Sequence, residues 1–427
     1  MLSTLLAATA LTAAPPATDG EPVARLVARL LAAPTVEEGR AVAGEIVALA
    51  PDFQSVLRAL GEERRYPDQV PVGLIEGARR NRDGTLHRYL LAVPEDYAPG
   101  GRYPVRVLLH GGVERPEWKQ GGGWWRDPKR LLREDHISIV PASWSGSRWW
   151  DASQVENVAG ILRDVKRQYD VDENRVSQLG ISDGGSGVWF FAFKDATPWA
   201  CFLSFIGHPG VLTNPSSRID GPLLTANLRG RPFLAVNGSD DPLYPAEGVR
   251  PLLDVFEEAG AQIRFEVVEG GGHDLRFWSE RAAAIDEFVS AHPRDPLPDR
   301  VVWATDRTDR YNRAWWVVIE ELAEGGLGDA SAPGVPSPLP ERLGGVDVRR
   351  SGNAIDVQAQ GVRRLRLLLS PQELDLSGEI TVVTNGSLSF QGRIEPRLDT
   401  LLEWAARDVD RELLFAAELA IDVPPSP

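Results

Sequence analysis

Between residues 70 and 292 short apolar runs alternate with amphipathic helical stretches, and that alternation admits few folds. Strands are expected over residues 87–93, 104–109, 137–141, 176–181, 202–206, 233–236 and 263–268. Helical patterns at 152–169, 187–193, 247–259 and 279–291 supply the crossovers that parallel neighbours require. This region therefore reads as α/β, built on a mostly parallel sheet. A proline-rich stretch, His292-Pro293-Arg294-Asp295-Pro296-Leu297-Pro298, marks its end.

Both flanks differ in texture. Residues 20–69 read as a short helical segment, with Val23, Leu26, Val27, Leu30 and Leu31 on one face. Thr35 followed by Glu38 is a capping-box pattern, Asp52 can cap a third helix, and Gly61 is placed to end it. Residues 293–427 read as an all-β, sandwich-like accessory domain, with strands expected at 301–305, 314–319, 346–349, 354–358, 365–369, 380–383 and 413–423. Asn385-Gly386 is a hairpin-turn signal, because both residues tolerate positive φ. Residues 325–340, rich in Gly, Ala, Ser and Pro, are expected to form a loop.

Residues 1–19 are expected to be a signal peptide and disordered start. The run from Leu2 to Ala14 is small or apolar and is followed by Pro15-Pro16. It is shorter than the roughly 18 residues a membrane span needs, so export to a periplasmic or extracellular space is the expectation. The 61 acidic residues against 46 basic ones leave a net charge of −15, a poor match for a nucleic-acid backbone. Cys201 is the single cysteine, which excludes an intrachain disulfide and a zinc cage of thiolates. No HExxH, phosphate loop, dinucleotide fingerprint or EF-hand is present, so no metal or cofactor is implied. Oligomeric state is open.

The chemistry centres on Gly180-Ile181-Ser182-Asp183-Gly184, a G-x-S-x-G sequence between an expected strand and an expected helix. In that context the turn must hold Ser182 in a strained conformation with its hydroxyl projecting. Two later strands run into Asn237-Gly238-Ser239-Asp240-Asp241-Pro242 and into Glu269-Gly270-Gly271-Gly272-His273-Asp274. An acid and a histidine following the serine in that order, each after a strand, complete the pattern. The region resembles a serine hydrolase of the α/β-hydrolase superfamily, in texture closest to secreted carboxylesterases, polyhydroxyalkanoate-depolymerase-like esterases and prolyl-oligopeptidase-like catalytic domains.

The resemblance implies Ser182 as nucleophile, His273 as general base and Asp241 as the acid that orients it, with Asp240 the alternative acid. It also implies an oxyanion loop at Leu109-His110-Gly111-Gly112, with donors from the Asp183 backbone and from Gly112 or Val113. His208 is the one competitor for the base. Trp118, Trp124, Trp125, Trp144, Trp149 and Trp150 lie in two loops after consecutive strands. They either rim a substrate pocket or pack the loops onto the domain. Trp315 and Trp316 are expected in the core of the β-rich domain or at its contact with the α/β region. An ester hydrolase with small-molecule or polymer substrates is implied first, a peptidase or amidase second. A non-catalytic surface-binding protein with a relic hydrolase domain is the alternative outside catalysis.

Overall fold

The computed structural model describes residues 22–49, 51–62, 64–124, 126, 128–324 and 342–424. The expected signal peptide and the expected loop at 325–340 lie outside them.

Three helices open the chain: α1 (Pro22–Ala32), α2 (Val36–Ala48) and α3 (Phe53–Leu60). The caps are those read from sequence, with Thr35 Oγ1 accepting the Glu38 N–H and Asp52 Oδ2 accepting the Ser55 N–H. The α/β region follows as β1 (Gly73–Arg80), β2 (Leu86–Val93), β3 (Tyr103–Leu109), β4 (Ile137–Pro141), α4 (Ala152–Gln168), β5 (Val171–Ile181), α5 (Asp183–Lys194), β6 (Cys201–Phe205), β7 (Pro232–Gly238), α6 (Ala246–Glu258), β8 (Gln262–Val268) and α7 (Trp278–Ala291). Its eight strands lie in the order β1-β2-β4-β3-β5-β6-β7-β8. β2 runs antiparallel to both its neighbours, and from β4 onward every pair is parallel. Cores on both faces bury β4 and β6 throughout, which is why both read as largely apolar runs, each carrying one buried serine, Ser138 and Ser204. β1 has no such run: it is an edge strand, alternating between partly buried and exposed residues.

Beyond the proline-rich stretch lie β9 (Arg300–Thr305), β10 (Arg313–Ala314), β11 (Val317–Leu322), β12 (Gly344–Ser351), β13 (Ala354–Gln360), β14 (Val362–Leu369), β15 (Ile380–Thr384), β16 (Ser387–Gly392), α8 (Leu398–Asp408) and β17 (Ala417–Asp422). They form a four-stranded sheet, β10-β11-β14-β17, and a five-stranded sheet, β16-β15-β13-β12-β9, around one shared core. Two expectations need correction. The single strand expected over 314–319 is broken into β10 and β11 by a turn at Trp315, whose φ is 49°. The region is also not all-β. Leu401, Leu402 and Ala405 of α8 are buried against Leu30, Ile46 and Val56 of the N-terminal helices, so two segments distant in sequence share one core.

The seam between the α/β region and the C-terminal region is ionic and buried. Asp410 accepts from Lys166 Nζ (2.7 Å) and from both terminal nitrogens of Arg294 (2.9 and 3.0 Å). The carboxylate is held far below the usual range, because these two cations outweigh the burial that would raise it. Next to it Arg411 clasps the buried Glu173 through Nε (3.0 Å) and Nη2 (2.9 Å), and Arg64 lies 3.7 Å from the same carboxylate. Asp410→Ala would strand Lys166 and Arg294 as buried unpaired charges and should cost about 3–5 kcal/mol. Glu45→Ala, which breaks an exposed pair with Arg29, should change stability by less than about 1 kcal/mol. Urea unfolding of both variants checks this, and equal midpoints would show that the seam does not hold the two regions together.

Candidate functional site

Everything at the site hangs from the C-terminal ends of β3, β5, β7 and β8. β5 turns into α5 at Ser182, whose φ of 55° and ψ of −119° lie in a region that L-residues rarely occupy. The turn is possible because its flanks carry no side chains. A Cβ on Gly180 would lie 2.0 Å from the Gly184 carbonyl oxygen, and one on Gly184 would lie 2.1 Å from the Leu109 carbonyl oxygen. The strand, the helix and the end of β3 therefore pass closer than any alanine allows.

Ser182 Oγ lies 2.8 Å from His273 Nε2. His273 Nδ1 lies 2.8 Å from Asp241 Oδ2. The Asp241 carboxylate is buried, and its other oxygen accepts the N–H groups of Leu243 (2.8 Å) and Tyr244 (2.9 Å). Asp240 is exposed and receives the Ser239 hydroxyl instead, so of the two adjacent acids Asp241 makes the contact with His273. The two loops are fastened to each other by Ser239 N–H to Val268 O (3.0 Å), Asp240 N–H to Gly271 O (3.0 Å) and Gly270 N–H to Ser239 Oγ (2.8 Å). His208 does not reach the serine. Its Nδ1 accepts the Gly210 N–H, and its ring meets Tyr244, which in turn meets His273 edge-on at 5.5 Å between centroids.

On the other side of Ser182 lies the loop after β3. A Cβ on Gly111 would be 3.6 Å from Ser182 Oγ. The Val113 N–H is bonded to the Asp183 carboxylate at 2.9 Å. Of the two N–H groups expected as alternatives in this loop, only that of Gly112 is left without that engagement. His110 is buried, its Nε2 accepts the Ser143 N–H, and burial lowers its pKa to about 4, so it is a neutral structural imidazole.

The tryptophans resolve toward packing. Trp124, Trp144, Trp149 and Trp150 are buried. The indole N–H groups of Trp124, Trp149 and Trp150 bond the carbonyls of Val140, His110 and Ser217. None of the four offers an open ring face, because their loops fold onto the body of the domain. Trp125 lies outside the described residues. Cys201 is buried and its thiol is pushed up to about 12 by burial, as suits a small apolar residue. Trp316 belongs to the C-terminal core, and Trp315 sits at the contact, with the Arg231 guanidinium 4.0 Å above its ring.

Three participants left no sequence signal strong enough to single out. Asp220, in the loop after β6, accepts from Arg307, Arg310 and Tyr311 of the C-terminal region at 2.7–2.9 Å. Burial would raise its pKa, but the hydrogen bonds from Arg310 and Tyr311 hold it at about 2. Its backbone N–H bonds Trp150 O, so the C-terminal region holds the loop after β6 against the loop after β4. Tyr244 follows Asp241-Pro242, an Asx-turn sequence that could have pointed to it. Arg115 lies on the loop after β3. A cavity of about 860 Å³ exists elsewhere, at the N-terminal ends of β3 and β5 by Tyr66, Arg102 and Arg411. Its Arg102 and Arg411 are ion-paired with Glu412 and Glu173.

No family model matches the chain. A bifunctional acetylxylan esterase/xylanase of Neocallimastix patriciarum is 24% identical over 186 residues, 43% of this chain and only 24% of that protein's length. Among solved structures, a thermostable esterase is 22% identical with a TM-score of 0.42, over 52% of this chain and 63% of that one. Esterase 2 of Thermogutta terrifontis, phosphorylated by paraoxon, gives 18% and 0.42 over 53% and 96%. A putative dipeptidyl aminopeptidase IV of Bacteroides ovatus gives 15% and 0.42 over 52% and 36%. The strand order, the crossover helices and the strained turn at Ser182 make the stretch from β1 to α7 an α/β-hydrolase fold.

Proposed function

We propose that the chain is a serine hydrolase of carboxylic esters that works through an acyl-enzyme on Ser182. The observation that carries this reading is the pair of 2.8 Å contacts linking Ser182 Oγ to His273 and His273 to the buried Asp241. In the reaction His273 Nε2 takes the hydroxyl proton as Oγ attacks the carbonyl, then passes it to the departing alcohol. Asp241, fixed by two backbone N–H groups, keeps the Nδ1 proton in place and stabilises the imidazolium. The developing oxyanion would be met by the N–H groups of Asp183 and Gly112, the first of them at the N-terminus of α5. Water then reverses the sequence. Residues 293–427 act as an accessory region that steadies the site, and the apolar run at residues 2–14 supports export.

Ser182→Ala should fold normally, lose labelling by a fluorophosphonate probe and lose at least about 10⁴-fold in kcat on an activated ester. Retention of a tenth of the activity would remove Ser182 from the reaction. In parallel, Asp241→Asn should lower kcat by about 10⁴-fold, as in serine proteases, while Asp240→Asn should stay within about threefold of the parent. The reverse ranking would exchange the two acids.

A further inference from the structure

The oxyanion loop carries a cation with no carboxylate to answer it. Arg115 is exposed, and no ion pair or side-chain hydrogen bond holds its guanidinium among the described residues. Neighbouring charges are engaged: Glu114 lies 3.4 Å from Arg148, and the Asp183 carboxylate receives the Val113 N–H and, at 3.5 Å, the Tyr244 hydroxyl. Arg115 is nonetheless held in place. Its guanidinium lies 5.3 Å from the centroid of Trp118, and Trp118 is itself fixed by an N–H bond to Ser143 O. On its other side it leans over Gly112, whose φ is +68°. A Cβ there would lie 2.6 Å from Arg115 Nη2, so the glycine leaves the space that the guanidinium fills. The preceding residue, Gly111, borders Ser182 Oγ. A fixed, solvent-facing guanidinium thus lies against Gly112, the chain neighbour of the residue that borders Ser182 Oγ.

We propose that Arg115 is a specificity-determining residue that binds a carboxylate of the substrate, so that the preferred esters carry an anionic group near the scissile carbonyl. The inference rests on the serine-hydrolase reading. A chain with a net charge of −15 repels anions at long range, so accepting an anionic ester calls for a local cation such as this one. Guanidinium is suited to the task because it offers two parallel N–H donors to a carboxylate and sheds water more readily than an ammonium.

The test compares matched esters on the full chain. One arm places the carboxylate in the acyl part, as a mono-4-nitrophenyl dicarboxylate against its methyl ester. The other places it in the alcohol, as 4-acetoxybenzoate against 4-acetoxybenzamide. In at least one arm the parent should favour the anionic member in kcat/KM, the arm identifying which side of the ester Arg115 serves. Arg115→Gln should reduce that ratio by about tenfold or more, the scale of a hydrogen-bonded charge. Arg115→Lys should restore only part of it, and the parent's preference should shrink with added salt. No anionic preference in either arm, or a ratio unchanged in Arg115→Gln, would overturn the proposal. Fluorophosphonate labelling of Ser182 is measured on the same samples. If labelling and turnover of the neutral esters are both absent, the serine-hydrolase reading itself has failed, a result distinct from an enzyme that is active but indifferent to charge.

Discussion

The crossing of β5 and α5 beneath the end of β3 is the constraint on which the site depends. Gly180 and Gly184 let three backbone segments meet at distances no side chain tolerates, and Ser182 at the apex takes the strain. Such a conformation costs on the order of 1–3 kcal/mol and persists only where the surroundings over-determine it. Here the Ser182 N–H bonds Phe205 O and the Ser182 carbonyl accepts from Ser186, so neighbouring elements hold both sides of the residue. The helix that follows is buried on all sides, with Trp189 stacked on Phe233 at 4.1 Å, which leaves it little freedom to unwind.

Fixing the serine would achieve little if the other loops could drift. The acid and histidine loops leave adjacent parallel strands, β7 and β8, which are paired as far as Gly238 and Val268. The strand ladder therefore sets their separation before any side chain acts. The C-terminal region adds restraint from two directions. Its Asp410 and Arg411 grip α4 and β5 at the far end of the sheet, while Arg307, Arg310 and Tyr311 hold Asp220 beside Trp150. Buried ion pairs are seldom stabilising relative to apolar contacts, but they tolerate almost no misalignment.

Most of this was legible in the chain, and the exceptions have physical reasons. Strands buried on both faces announce themselves as largely apolar runs, so β3 to β7 were readable within a few residues. β1 was not, since Glu76, Arg79 and Arg80 on an edge strand give no apolar run. The amphipathic pattern of α8 makes sense only beside helices more than three hundred residues earlier, a partner that periodicity cannot name. Ser182, Asp241 and His273 follow from strand–loop order, whereas the choice between Gly112 and Val113 was undecidable. It turns on a hydrogen bond from Val113 to Asp183, residues separated by two strands and a helix. The tryptophans left two readings open for a related reason. Composition identifies large rings near a site but not whether their N–H groups find carbonyls underneath.

Asp183 shows how the remaining pieces depend on one another. A carboxylate directly after Ser182 puts negative charge beside the place where the proposed reaction forms an oxyanion, and in a partly buried site like charges repel strongly. The structure answers that in two ways. The Val113 N–H and the N-terminal end of α5 draw the charge toward the backbone. The Tyr244 hydroxyl, pushed up to about 12 by burial and by Asp183 itself, stays protonated and presents a donor dipole to the carboxylate. Asp183 thereby becomes a strap between the turn at Ser182 and the loop after β3. It fixes the Gly112–Val113 peptide relative to Ser182, and a loop fixed in that way is what lets the Arg115 guanidinium, two residues further on, hold a constant position relative to Ser182.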